Sequence, residues 1–198
     1  MKRRRVAILL FPQVELLDFA GPLEVFSSAR DETGSRERLL DVVTVAESLE
    51  PIECNNPLTV LARTTLDSCP AADILVIPGG RGVSSAMERP AVIDWISHRA
   101  AAAELTTSVC TGSFLLAKAG LLDGKPTTTY WASVEMMRET FPGLEVLADR
   151  RWVESGSVIC SAGVSAGIDM SLHILSKLYG PDVARSTARN IEYDHWKE

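Results

Sequence analysis

The sequence predicts an α/β protein with three layers, in which helices cover both faces of a doubly wound, mostly parallel sheet. Two observations predict this class. Strand-like and helix-like segments alternate along the chain, and the first strand-like run, residues 6–11, is apolar at every position, as strands buried on both faces are. The 198 residues contain no repeat, low-complexity segment or linker, so we expect one domain over residues 1–198.

Six short runs rich in apolar and β-branched residues predict strands. They are residues 6–11, 42–45, 73–77, 105–109, 127–130 and 158–160. The segment 51–66 is expected to be irregular, with a short edge hairpin at 58–61.

Six other segments predict helices, because apolar residues recur on one face or a capping residue marks an end. They are about residues 22–32, 90–103, 111–120, 133–140, 164–178 and 181–193. Pro22 is taken as the first turn of its helix, where proline is favoured, and Gly120 fits a C-terminal cap. The helix at 164–178 carries a continuous apolar stripe.

Charge and cysteine usage exclude several functional classes. The net charge of −6 argues against a nucleic-acid surface, and the basic run at residues 2–5 is interpreted as the solvated start of the first strand. The apolar stretch at 6–11 is too short for a signal core or a membrane span. The four cysteines form no C-x-x-C pair, which favours reduced thiols and a cytoplasmic location.

Cys110 stands where a predicted strand meets a predicted helix, within SVCTG at 108–112. Such a corner aims a side chain away from the sheet, as in nucleophile elbows, and places the sulfur at a helix N-terminus. Unpaired N–H groups there favour the thiolate, so we expect a lowered thiol pKa. The alternative is a small buried side chain that fills a gap.

Two further segments are expected at the same edge of the sheet. Gly79 and Gly80 follow the strand at 73–77, and without a Cβ their N–H groups can approach a ligand; the alternative is a simple turn. Asp18 is placed in an apolar loop, where it would otherwise be a turn or capping residue. Beside a thiolate in an apolar pocket, its pKa would rise and it could act as a general acid.

Together these segments resemble the ThiJ/PfpI superfamily of the class I glutamine amidotransferase-like, flavodoxin-like fold. The residues that carry the resemblance are FPQVELLDFAGPLEVF at 11–26, DILVIPGGRGV at 73–83, SVCTGSFLLAKAGLLDGKPTTTYW at 108–131, SAGVSAGIDMSLHIL at 161–175 and IEYD at 191–194. Within the superfamily the combination is most similar to the isonitrile hydratases. The same domain also forms the N-terminal half of AraC-type regulators.

The resemblance implies roles for particular residues. Cys110 would be the nucleophile, Asp18 the acidic partner and Thr111 a required neighbour, with the N–H groups of Gly80 and Thr111 forming an oxyanion site. It also implies a homodimer with the active site near the interface, and neither a metal nor an organic cofactor.

Two departures from the family pattern concern histidine. Thr111 follows the cysteine where protease-like and deglycase-like branches often have histidine, so a Cys-His dyad is not expected. Tyr130-Trp131 stands where isonitrile hydratase-like chains commonly have His-Trp. The chain's own histidines, His98, His173 and His195, are interpreted mainly as surface or structural residues, and no pair has the spacing of metal ligands. Since the sequence ends at Glu198, we do not expect the DNA-binding region that follows this domain in AraC-type regulators.

The resemblance implies a lyase that hydrates an isocyanide to an N-substituted formamide. Thiolate Cys110 would attack the terminal carbon, and Asp18 would deliver a proton and then help to activate water. An apolar pocket that includes Tyr130 and Trp131 would hold the organic group of a small-molecule substrate. The alternatives are a hydrolase or glyoxalase-like enzyme on reactive carbonyls, and a redox or small-ligand sensor without enzymatic activity.

Overall fold

A computed structural model describes residues 2–31 and 37–194 of the chain. Its strands are β1 (Arg4–Leu9), β2 (Leu40–Ala46), β3 (Ile52–Glu53), β4 (Thr59–Val60), β5 (Thr64–Thr65), β6 (Ile74–Ile77), β7 (Leu105–Val109), β8 (Pro126–Thr127), β9 (Glu145–Val146), β10 (Trp152–Ser155) and β11 (Val158–Ser161). Its helices are α1 (Leu16–Ser28), α2 (Val83–Met87), α3 (Pro90–Ala100), α4 (Gly112–Lys118), α5 (Val134–Thr140), α6 (Ala166–Tyr179) and α7 (Pro181–Asn190), with a 3₁₀ turn at Trp131–Ser133.

The central sheet has seven strands in the order β10-β11-β7-β6-β1-β2-β5. All its pairings are parallel except that of β10 with β11. The chain passes from β1 to β2 on one side and later returns to β6 on the other, so the strand order reverses between β1 and β6. Ligands of doubly wound sheets bind beyond the carboxyl ends of the strands at such a reversal.

Helices cover both faces of this sheet, which confirms the three-layer, doubly wound class. Helices α1, α6 and α7 pack together on one side, and α2, α3 and α4 pack together on the other. Strand β6 is buried at every position, and β1 is buried from Val6 onward, because each lies between two helical layers. The end of α4 also matches the prediction: Gly120 has a φ of 73°, and the N–H of Leu121 donates to Leu116 O at 3.0 Å, as in a Schellman cap.

The first helix begins earlier than predicted. It starts at Leu16, so Pro22 lies inside it and Asp18 lies in its first turn, rather than in a loop. Phe19, Pro22 and Phe26 are buried on one face of this helix. The free energy gained by burying them outweighs the loss of the one backbone hydrogen bond that proline removes. The helix ends at Ser28, and the predicted end near residue 32 lies outside the described residues.

Short elements account for the remaining differences. Strand β10 and helix α2 were not predicted, the segment 127–130 is a strand only at its first residue, and α6 begins at Ala166 rather than at Val164. The edge hairpin exists as β3 paired with β4, and β5 extends the main sheet beside β2. Apart from α6, of which only the start differs, these elements have two to five residues, too few for a periodic pattern to be read.

Candidate active site

Cys110 occupies a sharp turn between β7 and α4, as the elbow prediction requires. Its φ is 58°, a left-handed conformation that is uncommon for a residue with a side chain. The residue is only 6% exposed, yet it lines a cavity of about 600 Å³. The turn therefore presents the sulfur to a cavity that opens to solvent, instead of packing it into the sheet.

The strained turn is held by hydrogen bonds on both sides of its backbone. The N–H of Cys110 donates to the carbonyl oxygens of Ser161 and Ala162, at 3.2 and 3.1 Å. Its own carbonyl accepts hydrogen bonds from Ser113 Oγ at 3.2 Å and Thr129 Oγ1 at 3.1 Å. Such strain persists only where the surroundings fix it, and it is concentrated at functional sites.

Asp18 reaches the same place from α1. The residue is fully buried, and its Oδ2 accepts a hydrogen bond from the Gly79 N–H at 3.0 Å. Burial raises the pKa of Asp18 to about 7, although the Gly79 N–H, the Cys110 thiol and the Val164 N–H each lower it. The carboxyl group therefore exchanges its proton near neutral pH, as predicted for an acidic partner in an apolar pocket.

The pKa of Cys110 differs from the sequence-based expectation. Burial and, to a smaller extent, the charge of Asp18 raise it to about 12, although the N–H groups of Thr111 and Val164 oppose this rise. Helix α4 has only seven residues, so its N-terminus does not compensate for the loss of solvent. The expectation of a lowered thiol pKa was wrong, and the thiol needs a base in order to react.

Gly79 and Gly80 donate backbone hydrogen bonds to the side chains of Asp18 and Thr111. While Gly79 donates to Asp18, the N–H of Gly80 donates to Thr111 Oγ1 at 3.1 Å. The expected oxyanion role of the Gly80 N–H is therefore not supported in this geometry, since that donor is already used. The N–H groups that interact with the Cys110 sulfur are those of Thr111 and Val164.

Val164 is a site residue that the sequence analysis missed. It has a φ of 53°, a true outlier for a β-branched side chain, and its N–H interacts with both Asp18 and Cys110. The segment SAGVSAG was noted for its family resemblance, but a valine gives no sequence signal for a left-handed conformation. Val164 was instead predicted to belong to the apolar stripe of the following helix.

The cavity is lined by apolar side chains over much of its surface, with polar groups at one side. The apolar lining residues are Val83, Met87, Phe114, Tyr130, Met136 and Val164. Glu15 and Asn55 lie among the polar lining residues, and Asn55 Nδ2 donates to Glu15 Oε2 at 2.7 Å. This pair was not singled out in the sequence.

The two aromatic residues expected in the pocket are separated. Tyr130 lines the cavity, whereas Trp131 is 76% exposed and lies outside the lining, with its ring centre 5.6 Å from that of Tyr130. Trp131 begins the 3₁₀ turn, which directs it away from the preceding residue. Within a single chain, Trp131 is therefore not a pocket residue.

The other cysteines and histidines lie outside the cavity lining. Cys54, Cys69 and Cys160 are buried free thiols, as a structural role requires. His98 is exposed on α3, and His173 contacts Glu154 Oε2 at 2.7 Å and stacks on Trp152. His195 lies outside the described residues. Within residues 2–31 and 37–194, no cluster of three histidine, cysteine or acidic side chains is arranged to hold a metal ion.

This arrangement matches a known protein family. The model of the DJ-1/PfpI family matches residues 4–177. The chain belongs to the DJ-1/PfpI family. A solved structure of a ThiJ/PfpI family protein from Pseudomonas syringae superposes with a TM-score of 0.87 at 29% identity, covering 98% of this chain and 76% of that one.

Relatives within the family differ in what they do. The chain is 37% identical to an isonitrile hydratase of Pseudomonas putida over 190 residues, covering 96% of this chain and 78% of that protein. It is 25% identical to the HTH-type transcriptional regulator GbdR of Pseudomonas aeruginosa over 96% of its own length, which is half the length of that regulator. The family therefore includes both enzymes and regulators.

Proposed function

We propose that this protein is an isonitrile hydratase-like lyase, which adds water to an isocyanide and releases an N-substituted formamide. The observation that carries the proposal is the pairing of a strained, cavity-facing Cys110 with a buried Asp18 that titrates near neutral pH. The similarity of the chain to the isonitrile hydratase of Pseudomonas putida supports the same chemistry.

The first chemical step forms a covalent thioimidate. The terminal carbon of the isocyanide accepts the Cys110 sulfur while the Asp18 carboxylate takes the thiol proton, so no free thiolate has to accumulate. Asp18 then gives that proton to the same carbon, which yields R–N=CH–S–Cys110. The N–H groups of Thr111 and Val164, which interact with the sulfur, stabilise negative charge during the attack.

The second step consumes water and restores the thiol. Asp18, again a carboxylate, removes a proton from a water molecule that attacks the thioimidate carbon. Asp18 gives this proton to the nitrogen, which leaves a hydroxyl group on the carbon. The C–S bond then breaks as the hydroxyl oxygen becomes the formyl carbonyl and its proton is transferred, through Asp18, to the sulfur. The products are R–NH–CHO and free Cys110, so the two steps together add one water molecule and use only side chains of this chain.

The apolar part of the cavity sets the substrate class. Side chains such as Phe114, Met87 and Tyr130 fit an organic group on the isocyanide nitrogen, while the small terminal carbon reaches Cys110. We propose that Tyr130 contacts this group in place of the histidine found in related chains.

Assembly and location are part of the same proposal. We expect a homodimer, as the family resemblance implies, and a reducing cytoplasm, which suits four free thiols. The exposed Trp131 is then free to contact a second copy near the site. Among the described residues, no helix is long and apolar enough to cross a membrane. Light scattering of the purified chain tests the dimer.

Turnover of cyclohexyl isocyanide tests the proposed reaction, and methylglyoxal serves as the comparison substrate. We expect wild type to convert cyclohexyl isocyanide to N-cyclohexylformamide, and Cys110→Ala and Asp18→Asn to lose at least about 10²-fold in rate, as removal of a nucleophile or a proton-transfer group does. Cys69→Ala, which removes another buried thiol away from the cavity, should retain full activity.

Other outcomes support the alternatives. Conversion of methylglyoxal without any formamide would show an enzyme of reactive carbonyls. No turnover of either compound, with rapid oxidation of Cys110 by peroxide, would contradict the lyase and indicate a sensor.

A further inference from the structure

The segment 162–165 brings the Val164 N–H to Asp18 and Cys110. This requires a left-handed backbone at Val164, which the sequence of the segment does not favour. Val164 adopts a left-handed φ, which costs an L-residue with a branched side chain free energy. On the cavity side, the ring of Tyr130 lies so close to Gly163 that a Cβ there would collide with it. Ser165, at the end of the segment, contacts the guanidinium of Arg151, which lies outside the cavity lining.

Arg151 holds both ends of this segment. Its carbonyl oxygen accepts the Ala162 N–H at 2.9 Å, and two of its guanidinium nitrogens contact Ser165 Oγ at 3.4 Å. The guanidinium also forms an ion pair with Asp169, in which Nε, at 2.8 Å, and a terminal nitrogen both contact the same oxygen, Oδ2. A planar guanidinium bound in this way fixes direction as well as distance.

Tyr193 connects the C-terminal residues to the same carboxylate. Its hydroxyl donates to Asp169 Oδ1 at 3.0 Å, so both oxygens of Asp169 are engaged. Asp169 is nearly buried in the first turn of α6, directly after the segment that carries Val164. The three side chains therefore connect the start of α6, the segment 162–165 and the turn that follows α7.

We propose that Arg151, Asp169 and Tyr193 are positioning residues, which hold the segment 162–165 so that the Val164 N–H faces Asp18 and Cys110. None of the three lines the cavity, so any effect on the reactive pair passes through the segment 162–165. Their role rests on the Asp18–Cys110 site and not on the identity of the substrate, so it can be tested without turnover.

The pH profile of Cys110 alkylation is the test. The full-length chain is treated with iodoacetamide from pH 6 to pH 10, and modification of Cys110 is followed by mass spectrometry. Because the Val164 N–H lowers the pKa of both Cys110 and Asp18, its displacement should move the inflection of the profile to higher pH. We expect this in Tyr193→Phe and Arg151→Gln, with about a threefold lower rate at pH 6 for a rise of ~0.5 in the thiol pKa.

Two matched variants remove comparable interactions elsewhere. Tyr179→Phe removes a half-buried tyrosine hydroxyl that donates to Leu39 O, and Arg4→Gln breaks a two-pronged pair with Glu104. Both lie at the opposite end of the sheet and should leave the profile unchanged. Thermal unfolding of all four variants separates positioning from a general loss of stability.

The proposal fails if Tyr193→Phe and Arg151→Gln give the wild-type inflection. It also fails if the two control variants shift the inflection equally. A lower melting temperature without any shift would assign the cluster to stability alone.

Discussion

Burial raises the pKa of both Asp18 and Cys110, but the consequences for their reactivity differ. It raises the pKa of Asp18 to about 7, which places proton exchange at working pH, and it raises the pKa of Cys110 to about 12, which keeps the sulfur protonated. Only a carboxylate close to the thiol makes the sulfur reactive under these conditions. The two residues are therefore useful as a pair, and neither is useful alone.

The raised pKa of Asp18 makes the stability of the fold depend on pH. The ordinary value is 3.8 and the folded value is about 7, so between these values the folded chain holds a proton that the unfolded chain has lost. Stability therefore falls as pH rises through this window and stays low above it. Asp18→Asn removes the penalty and should stabilise the protein at pH 8 by roughly 1–3 kcal/mol relative to wild type.

Urea unfolding at pH 4.5 and pH 8 measures this effect. The advantage of Asp18→Asn should be much larger at pH 8 than at pH 4.5. Asp94→Asn, which replaces an exposed carboxylate on α3, serves as the control and should show no such difference. An advantage of Asp18→Asn that is equal at both pH values would mean that Asp18 is not held in its neutral form by burial.

At the scale of elements, the sequence predicts the parts of the fold that have an unbroken run of apolar or β-branched residues or a long periodic pattern. The apolar run of β1, the strand before Cys110 and the stripe of α6 are each identified from residue spacing alone. The start of α1 was misplaced, because Pro22 is a local signal that tertiary burial overrides. The candidate site was predicted in the same uneven way: Cys110 and Asp18 were identified, whereas Val164 and the Glu15–Asn55 pair have meaning only in three dimensions.

Alanine substitutions at two glycines near helix ends are expected to have different effects, one on the stability of the fold and the other on the geometry of the site. Gly120 has a φ of 73° in the cap after α4, and no atom of a neighbouring residue restricts a side chain there except Asp123 Oδ2 at 3.9 Å. Gly120→Ala should cost about 1 kcal/mol of stability and leave turnover unchanged.

Gly163→Ala should displace Tyr130 and the segment 162–165, because its Cβ collides with the aromatic ring, and should lower kcat/KM.

Melting temperatures and formamide production in the two variants check this contrast. Equal losses of turnover in Gly120→Ala and Gly163→Ala would show that the packing of Gly163 on Tyr130 has no particular role at the site.

At the scale of the whole molecule, the fold assembles one site from four separate connections. Asp18 comes from the first turn of α1, the two glycines follow β6, Cys110 follows β7, and Val164 precedes α6. All lie beyond the carboxyl ends of adjacent parallel strands, where a doubly wound sheet binds ligands. Because relatives of this family include enzymes and regulators, the fold alone does not decide the function.

The rate of Cys110 alkylation as a function of pH, in wild type and Asp18→Asn, tests this pairing most directly. In the folded wild type we expect the rate to rise up to about pH 7 and then to level off, because ionised Asp18 opposes loss of the thiol proton. In Asp18→Asn the rate should continue to rise about tenfold per pH unit, and in denaturant the two proteins should behave alike. Identical profiles for the two folded proteins would contradict the account, since Asp18 and Cys110 would then titrate independently.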